Sequence, residues 1–303
     1  MGEPTESRTG PTAGLDDVRA DRPADRFVDG RNPWHHLTSG VPARDLLVLA
    51  VPPAVLCGVY LLPEGSRSAL ALRYTEPSAL AAYGTHLVHF ELAHLAGNLL
   101  GYGLLATTCY LLAVAAGLRR FLLVAAAGIA VAFPLALSAL NLAVPRHGVT
   151  YGFSGLNAAL LGLSAVLLVE YLRTTFCPAI ERRDAGAVFF PTVTVAALLV
   201  VPPSREAYAV AAVASTIAAG YLLSIRGRGR NVRTLLLEVR DRPGYGDLLL
   251  VAAVIVVVYP LVTFNRDPAA TTAAAPNVYT HFLGYALGFL ASHLLLSTGL
   301  FDG

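Results

Sequence analysis

The chain has 303 residues, of which 55% are hydrophobic and only 14% are charged. Soluble domains carry about 25% charged residues, so this composition indicates a membrane protein. The net charge of +2 is too small to favour nucleic-acid binding, and we expect no nucleic-acid partner. The cysteines show no metal-ligand spacing and are interpreted as small apolar residues or incidental thiols: Cys57, Cys109 and Cys177.

The start of the chain differs in composition from the rest. Residues 1–33 are rich in Gly, Pro, Asp and Arg and show almost no apolar periodicity. Such a segment cannot bury enough apolar surface to fold, so we predict a disordered cytoplasmic tail. It also lacks the apolar core of a signal peptide. Residues 34–303 are predicted to form the membrane domain.

After the tail, apolar runs alternate with short charged links. A membrane-spanning helix needs roughly 20 mostly apolar residues. The candidate spans are about 45–63, 94–117, 121–144, 152–172, 185–203, 207–225, 247–264 and 279–299. None shows the alternation that is typical of a transmembrane barrel strand. We therefore predict an all-α polytopic membrane protein with about eight transmembrane helices.

The arginines give this bundle a predicted orientation. They are concentrated before span one and after spans two, four and six, whereas the alternate links hold fewer. The richer group comprises Arg31, Arg44, Arg119, Arg120, Arg173, Arg182, Arg183, Arg226, Arg228, Arg230, Arg233, Arg240 and Arg242. By the positive-inside rule these segments face the cytoplasm, together with the N-terminus. We expect a protein of the plasma membrane.

Three spans with the same predicted direction carry polar residues near their outer ends. Spans two, four and eight run from outside to inside and begin near His94, Ser154 and His281. A serine hydroxyl becomes a good nucleophile when a base takes its proton, and histidine suits that task near neutral pH. His94 and Asn98 are spaced i, i+4 on one helix face, and both can donate hydrogen bonds to a developing oxyanion.

Small residues surround these polar groups. Glycines near Ser154 permit close approach of backbone and substrate, and glycines on the face of His281 permit close helix packing. The supporting glycines are Gly152, Gly155, Gly284 and Gly288. We predict a close crossing of spans four and eight that brings Ser154 to His281.

Three motifs carry a resemblance to a known family. They are His94-Leu-Ala-Gly-Asn98, Gly152-Phe-Ser154-Gly155, and His281-Phe-Leu-Gly284-Tyr-Ala-Leu-Gly288. In this order and at matching depth, the chain resembles the rhomboid intramembrane serine proteases over roughly residues 45–175 and 247–300. The resemblance implies a rhomboid-like helical bundle in which a six-helix core contains an inserted pair at about 185–225.

The resemblance also implies an activity. Ser154 and His281 would form a catalytic dyad without an acidic third member, and His94 and Asn98 would line the oxyanion hole. The expected partners are transmembrane protein substrates, cut near their outer ends, and the lipid bilayer. The expected site lies near the outer face and uses no metal and no organic cofactor.

The chain departs from the family pattern in three places. The inserted pair is extra. Many members carry an aromatic residue one turn after the serine, packed on the catalytic histidine, where this chain has Ala158. Tyr285 is an alternative source of that packing. The Trp-Arg pair that is common in the first outer loop is absent, and Arg73-Tyr74 is the nearest counterpart.

Two other functions stay open from the sequence. A metal-dependent membrane hydrolase would use His86, His89 and His94, but their spacing is wrong for the pattern of two histidines at i, i+4 with an adjacent glutamate. His86 and His89 are more typical of loop or support residues. A non-catalytic rhomboid-like protein would bind membrane clients. Such relatives commonly lack the serine or the histidine, and this chain has both.

Overall fold

The computed structural model describes residues 41–145, 147–199, 204–228, 232–264 and 277–301, so the predicted tail lies outside it. The helices are α1 (Ala43–Tyr60), α2 (Glu64–Leu70), α3 (Ala79–Gly84), α4 (Leu92–Ala115), α5 (Arg119–Val131), α6 (Phe133–Leu142), α7 (Ser154–Thr175), α8 (Gly186–Leu198), α9 (Arg205–Gly227), α10 (Val232–Arg240), α11 (Tyr245–Thr263) and α12 (Val278–Ser297). Two 3₁₀ turns cover Thr85–Leu87 and Arg182–Ala185. Strands β1 (Leu72–Arg73) and β2 (Val149–Thr150) form one short antiparallel ladder.

The prediction of an all-helical membrane protein is confirmed at the level of class. Among the described residues, α1, α4, α7, α9 and α11 are each long and apolar enough to cross a membrane. The pair α5 and α6 qualifies jointly as a sixth span but is bent by 45°. Pro134 lies in the first turn of α6, where a missing N–H is tolerated, which explains the break inside predicted span 121–144.

The predicted number of eight spans stays a prediction. Helix α8 has 13 residues, about 20 Å of helix, which is shorter than a bilayer core. Helix α12 has 20 residues, but His281 and His293 lower its mean hydropathy, and it is absent from the helices that qualify within the described ranges.

Helix α7 forms the centre of the bundle. In its most apolar stretch 94% of the residues are buried, compared with 17% in α9 and 11% in α1. A helix that is apolar on all sides is stable when other helices surround it. The neighbours of α7 include α12, α4 and α11, while α8 and α9 pack mainly on each other. The two helices of the predicted inserted pair therefore lie toward the outside of the core.

The structure shows the close crossing of α7 and α12 that the glycines predict. A Cβ atom at Gly284 would overlap the carbonyl oxygen of Gly155, and one at Gly288 would overlap that of Ala159. On the other helix, a Cβ atom at Gly162 would overlap the backbone of α12. Only glycine permits this backbone contact, so these positions fix the distance between the two helices.

The two ends of the crossing differ in chemistry. The serine end, defined by Ser154 and His281, carries uncharged polar groups. The arginine end, defined by Glu170 and Arg173, carries ion pairs in which Glu170 is only 1% exposed. At that same end of the bundle, the buried carboxylate of Asp45 pairs with Arg119.

Candidate active site

The segment before Ser154 is held in place by backbone contacts. Strand β2 ends at Thr150, and the N–H of Gly152 donates to the carbonyl of Thr85 at 2.9 Å. Gly152 has φ +113°, and an added Cβ would lie 2.8 Å from Cε1 of His94. Both its backbone conformation and its contact with His94 therefore require glycine. Helix α7 then begins at Ser154, which is half-buried and so reachable by a substrate.

His281 lies in the first turn of α12 and faces the serine. Its Nε2 atom is 2.7 Å from Oγ of Ser154. Its Nδ1 atom is 2.7 Å from the carbonyl oxygen of Thr263, the last residue of α11. A carbonyl only accepts hydrogen bonds, so Nδ1 carries the proton and Nε2 is left to accept from the serine hydroxyl. This is the geometry and the tautomer of a general base next to a nucleophile.

The start of α12 is fixed by a polar cap. The side chain of Asn277 accepts a hydrogen bond from the N–H of Thr280 at 3.2 Å. Thr280 in turn donates to Oδ1 of Asn141 on α6 at 3.0 Å. The amide of Asn277 also donates to the hydroxyl of Tyr74 at 3.1 Å. Tyr74, of the Arg73-Tyr74 pair, therefore helps to hold the start of α12. These contacts set the position of the helix end that carries His281.

The two predicted oxyanion donors lie beside the same loop. An added Cβ at Gly152 would be 2.9 Å from Nε2 of His94 and 3.8 Å from Nδ2 of Asn98. His94 is half-buried and Asn98 is 5% exposed. The Nδ2 atom of Asn98 is 2.8 Å from Nε2 of His89, which lies 3.5 Å from the N–H of Phe153. The structure thus brings Ser154, His281, His94 and Asn98 to one end of the bundle.

Sequence reasoning missed Asn157. This residue lies three positions after Ser154 in α7 and is 1% exposed. Its Nδ2 atom donates to the backbone carbonyl of Asn98 at 2.9 Å and lies 3.5 Å from the Oδ1 atom of Asn98. Asn157 therefore links the serine helix to the helix of the oxyanion donors. Its i, i+3 spacing from Ser154 is a signal that points to it.

His86 and His89 act as support residues. Nε2 of His86 lies 3.0 Å from the carbonyl of Pro134 and 3.1 Å from Oγ of Ser138, which ties the loop before α4 to α6. The carbonyl of His89 accepts a hydrogen bond from Arg67 at 2.7 Å. Burial lowers the pKa of His86 to about 4, and burial, followed by the neighbouring His94, lowers the pKa of His89 to about 4. Both rings are therefore neutral at physiological pH.

The structure gives no support to the metal-dependent alternative. Among the described residues, no three His, Cys, Asp or Glu side chains are grouped so that they could hold a metal ion. The Nε2 atoms of His86 and His89 have separate partners, on α6 and α4 respectively. The three histidines of that alternative therefore do not converge on one point.

Ala158 and Tyr285 have distinct surroundings. An added Cβ at Gly284 would lie 3.3 Å from Cβ of Ala158, so the small side chain of Ala158 faces the glycine surface of α12. Tyr285 is fully buried and stacks on Phe189 of α8, with ring centroids 5.1 Å apart and planes 7° apart. The ring of Tyr285, suggested above as a packing partner for His281, thus stacks on a residue of the predicted inserted pair.

The comparisons with known proteins add no relatives. No family model, no curated protein and no solved structure matches this chain.

Proposed function

We propose that this protein is an intramembrane serine endopeptidase of the rhomboid type, with Ser154 as nucleophile and His281 as general base. The observation that carries the proposal is the chain of two 2.7 Å contacts from Oγ of Ser154 through the His281 ring to the carbonyl of Thr263. It joins Ser154 on α7 to α12, 127 residues later in the chain, and through His281 to the end of α11. An activated serine requires this arrangement, whereas helix packing alone does not require it.

The proposed reaction needs no group from outside the chain other than substrate and water. As Oγ of Ser154 attacks the scissile carbonyl carbon, its proton moves to Nε2 of His281. The imidazolium then passes this proton to the leaving amine nitrogen as the C–N bond breaks, which leaves an acyl ester on Ser154. A water molecule, deprotonated by His281, attacks this ester, and the returned proton restores the serine hydroxyl.

The carbonyl of Thr263 takes the place of an acidic third residue. It accepts the Nδ1 proton of His281 and so holds the tautomer that a general base requires. It also stabilises the imidazolium through its dipole without placing a second charge in an apolar bundle. His94 and Asn98 supply side-chain donors for the oxyanion of the tetrahedral intermediate.

The position of the site supports a substrate class. Ser154 is at one end of a helix that is buried among apolar helices, which favours a substrate segment that arrives within or beside the bilayer. We propose transmembrane proteins as substrates, unwound and cut near one end of their spans. The arginine distribution supports an outer position for the serine end and a cytoplasmic N-terminus in the plasma membrane.

The proposal is tested with the full chain in lipid vesicles, a reporter transmembrane substrate and no added metal. Ser154→Ala and His281→Ala should each lower the rate by at least about 10⁴-fold. Ser164→Ala is the matched control, because Ser164 lies on the same helix and its hydroxyl donates to the carbonyl of Leu161. This variant should cleave like the wild type. Full activity in either dyad variant would refute the proposal, and client binding without cleavage would favour the non-catalytic alternative.

A further inference from the structure

The predicted inserted pair makes a specific contact with the helix of His281. Phe189 of α8 lies against α12, where it stacks on Tyr285 and on Phe289. The centroid distances are 5.1 Å and 4.2 Å, and the planes are inclined by 7° and 25°. Tyr285 is 0% exposed and Phe289 is 6% exposed, so both rings of α12 are buried beneath the half-buried ring of Phe189. Aromatic pairs have preferred stacked geometries, so this contact favours one placement of α8 relative to α12.

The stacked rings lie on the same face of α12 as the general base. His281, Tyr285 and Phe289 are spaced four residues apart, which places them one above another on a helix. A small rotation of α12 about its axis would move all three together. A ring held at Tyr285 therefore fixes the direction in which His281 points.

Tyr285 also contacts Phe264, the residue after Thr263. Phe264 lies edge-on to Tyr285 at 6.4 Å and directly follows Thr263, whose carbonyl accepts the Nδ1 proton of His281. The hydroxyl of Tyr285 lies 3.4 Å from the carbonyl oxygen of Phe189. Tyr285, one turn after His281, thus joins α8, α11 and α12.

Helix α7, which packs on α12 at the crossing, carries alanine and not an aromatic residue at position 158. Ala158 of α7 faces Gly284, and the two helix backbones are in contact there. The serine helix therefore presents a methyl group to α12 at this level. The ring that stacks on α12 comes from Phe189 of α8.

We propose that α8 is a positioning element of the active site, in which the ring of Phe189 holds Tyr285 and thereby sets the orientation of His281 toward Ser154. This inference rests on the proposed function. It gives the inserted pair a role in the rate of the chemical step, beyond that of an additional membrane anchor.

The chain supplies a matched control in the next residue. Phe190 is also half-buried on α8, but its ring stacks on Tyr221 of α9, with a centroid distance of 6.0 Å. Its ring also meets Phe189 edge-on, with a centroid distance of 5.2 Å. Replacing Phe190 removes this edge contact and the stack on Tyr221 but leaves both stacks of Phe189 on α12 in place. A difference between the two phenylalanines therefore separates positioning of the base from general stability of the pair.

The test measures kcat and KM for a reporter transmembrane substrate, using the full chain in vesicles. Phe189→Ala should lower kcat by about 10- to 100-fold with little change in KM, because a misdirected base impairs chemistry more than binding. Phe190→Ala should stay close to wild type, and Phe189→Tyr, which keeps the ring, should recover most of the activity. The inference would be overturned if the two alanine variants had equal effects, or if Phe189→Ala raised KM and left kcat unchanged. If Phe189→Ala does not fold, Phe189→Leu takes its place with the same criteria.

A second measurement separates this inference from the proposed function. Melting temperatures of Phe189→Leu, Tyr285→Leu and the double variant report the contact whether or not the protein cleaves anything. Non-additive losses would support the stack, and additive losses would refute it. A wild type that shows no cleavage, together with non-additive melting, would refute the proposed protease while leaving the contact in place.

Discussion

The buried polar groups at the two ends of helix α7 have different kinds of partner. At the serine end, Ser154 and Asn157 are uncharged and bond to neutral partners, at 2.7 Å to His281 and 2.9 Å to the carbonyl of Asn98. At the arginine end, Glu170 is 1% exposed and binds Arg173 at 2.7 Å and Arg182 at 3.3 Å. A buried carboxylate is costly unless it is paired, so this end is committed to two ion pairs.

The difference explains which end suits chemistry. Ion pairs hold fixed protonation states, because moving a proton would strand a charge in an apolar region. Neutral hydrogen bonds allow a proton to pass from serine to histidine without first breaking a charge pair. The arginine end thus anchors the helix, and the serine end suits the proton transfer of the proposed function.

The largest effect on the serine end, after the loss of the dyad itself, should come from Asn98. Asn98→Ala should lower the cleavage rate by about 10²- to 10³-fold if its amide stabilises the oxyanion. Asn157→Ala should have a smaller effect of the same kind, since Asn157 acts through Asn98. Steady-state kinetics with the reporter substrate measures both, and an Asn157 variant slower than the Asn98 variant would contradict this order.

Acid should weaken the serine end through its supporting histidines. The folded pKa of His86 is about 4, below the ordinary value of 6.5, because the ring is buried. The unfolded chain therefore takes up a proton first, and stability is lost as pH falls from about 6.5 toward 4, by up to about 1.4 kcal/mol per pH unit for one group.

Melting temperature against pH measures this loss. His86→Gln should flatten the curve in that window, although the variant is less stable at neutral pH. An unchanged slope in His86→Gln would contradict the account.

The arginine end should respond in stability and not in activity. Glu170→Gln removes a buried charge from two arginines and should cost about 1–3 kcal/mol. The control Glu181→Gln breaks a pair with Arg183 whose side chains are 44% and 68% exposed, and it should cost under about 1 kcal/mol. Thermal unfolding checks the difference. If Glu170→Gln instead impaired kcat at unchanged stability, the division between the two ends would be wrong.

The sequence predicted most helices because long apolar runs identify them without reference to neighbours. It placed one span at about 121–144, where the structure has a bent pair, because Pro134 acts on local backbone geometry that apolarity does not record. It placed the start of another span at about 152, whereas α7 begins at Ser154 after a glycine with φ +113°. The assignment of spans rests on helix length and composition, and the number eight stays a prediction.

The sequence predicted the parts of the candidate site that consist of side chains with a recognisable type and spacing. Ser154, His281, His94 and Asn98 lie together at one end, as the sequence suggests. Three contributors were missed for separate physical reasons. The Thr263 carbonyl has no side-chain signature, Asn157 is an isolated amide in an apolar run, and the proposed role of Phe189 depends on its stack with Tyr285 of α12.

The most direct test of an activated serine is covalent labelling with a fluorophosphonate, followed by peptide mass spectrometry. The wild type should carry the adduct on Ser154, and the label should disappear in Ser154→Ala and in His281→Ala while Ser164→Ala labels normally. A wild type that is folded but unlabelled, or a His281→Ala variant that labels as fast as the wild type, would contradict the assignment of the dyad.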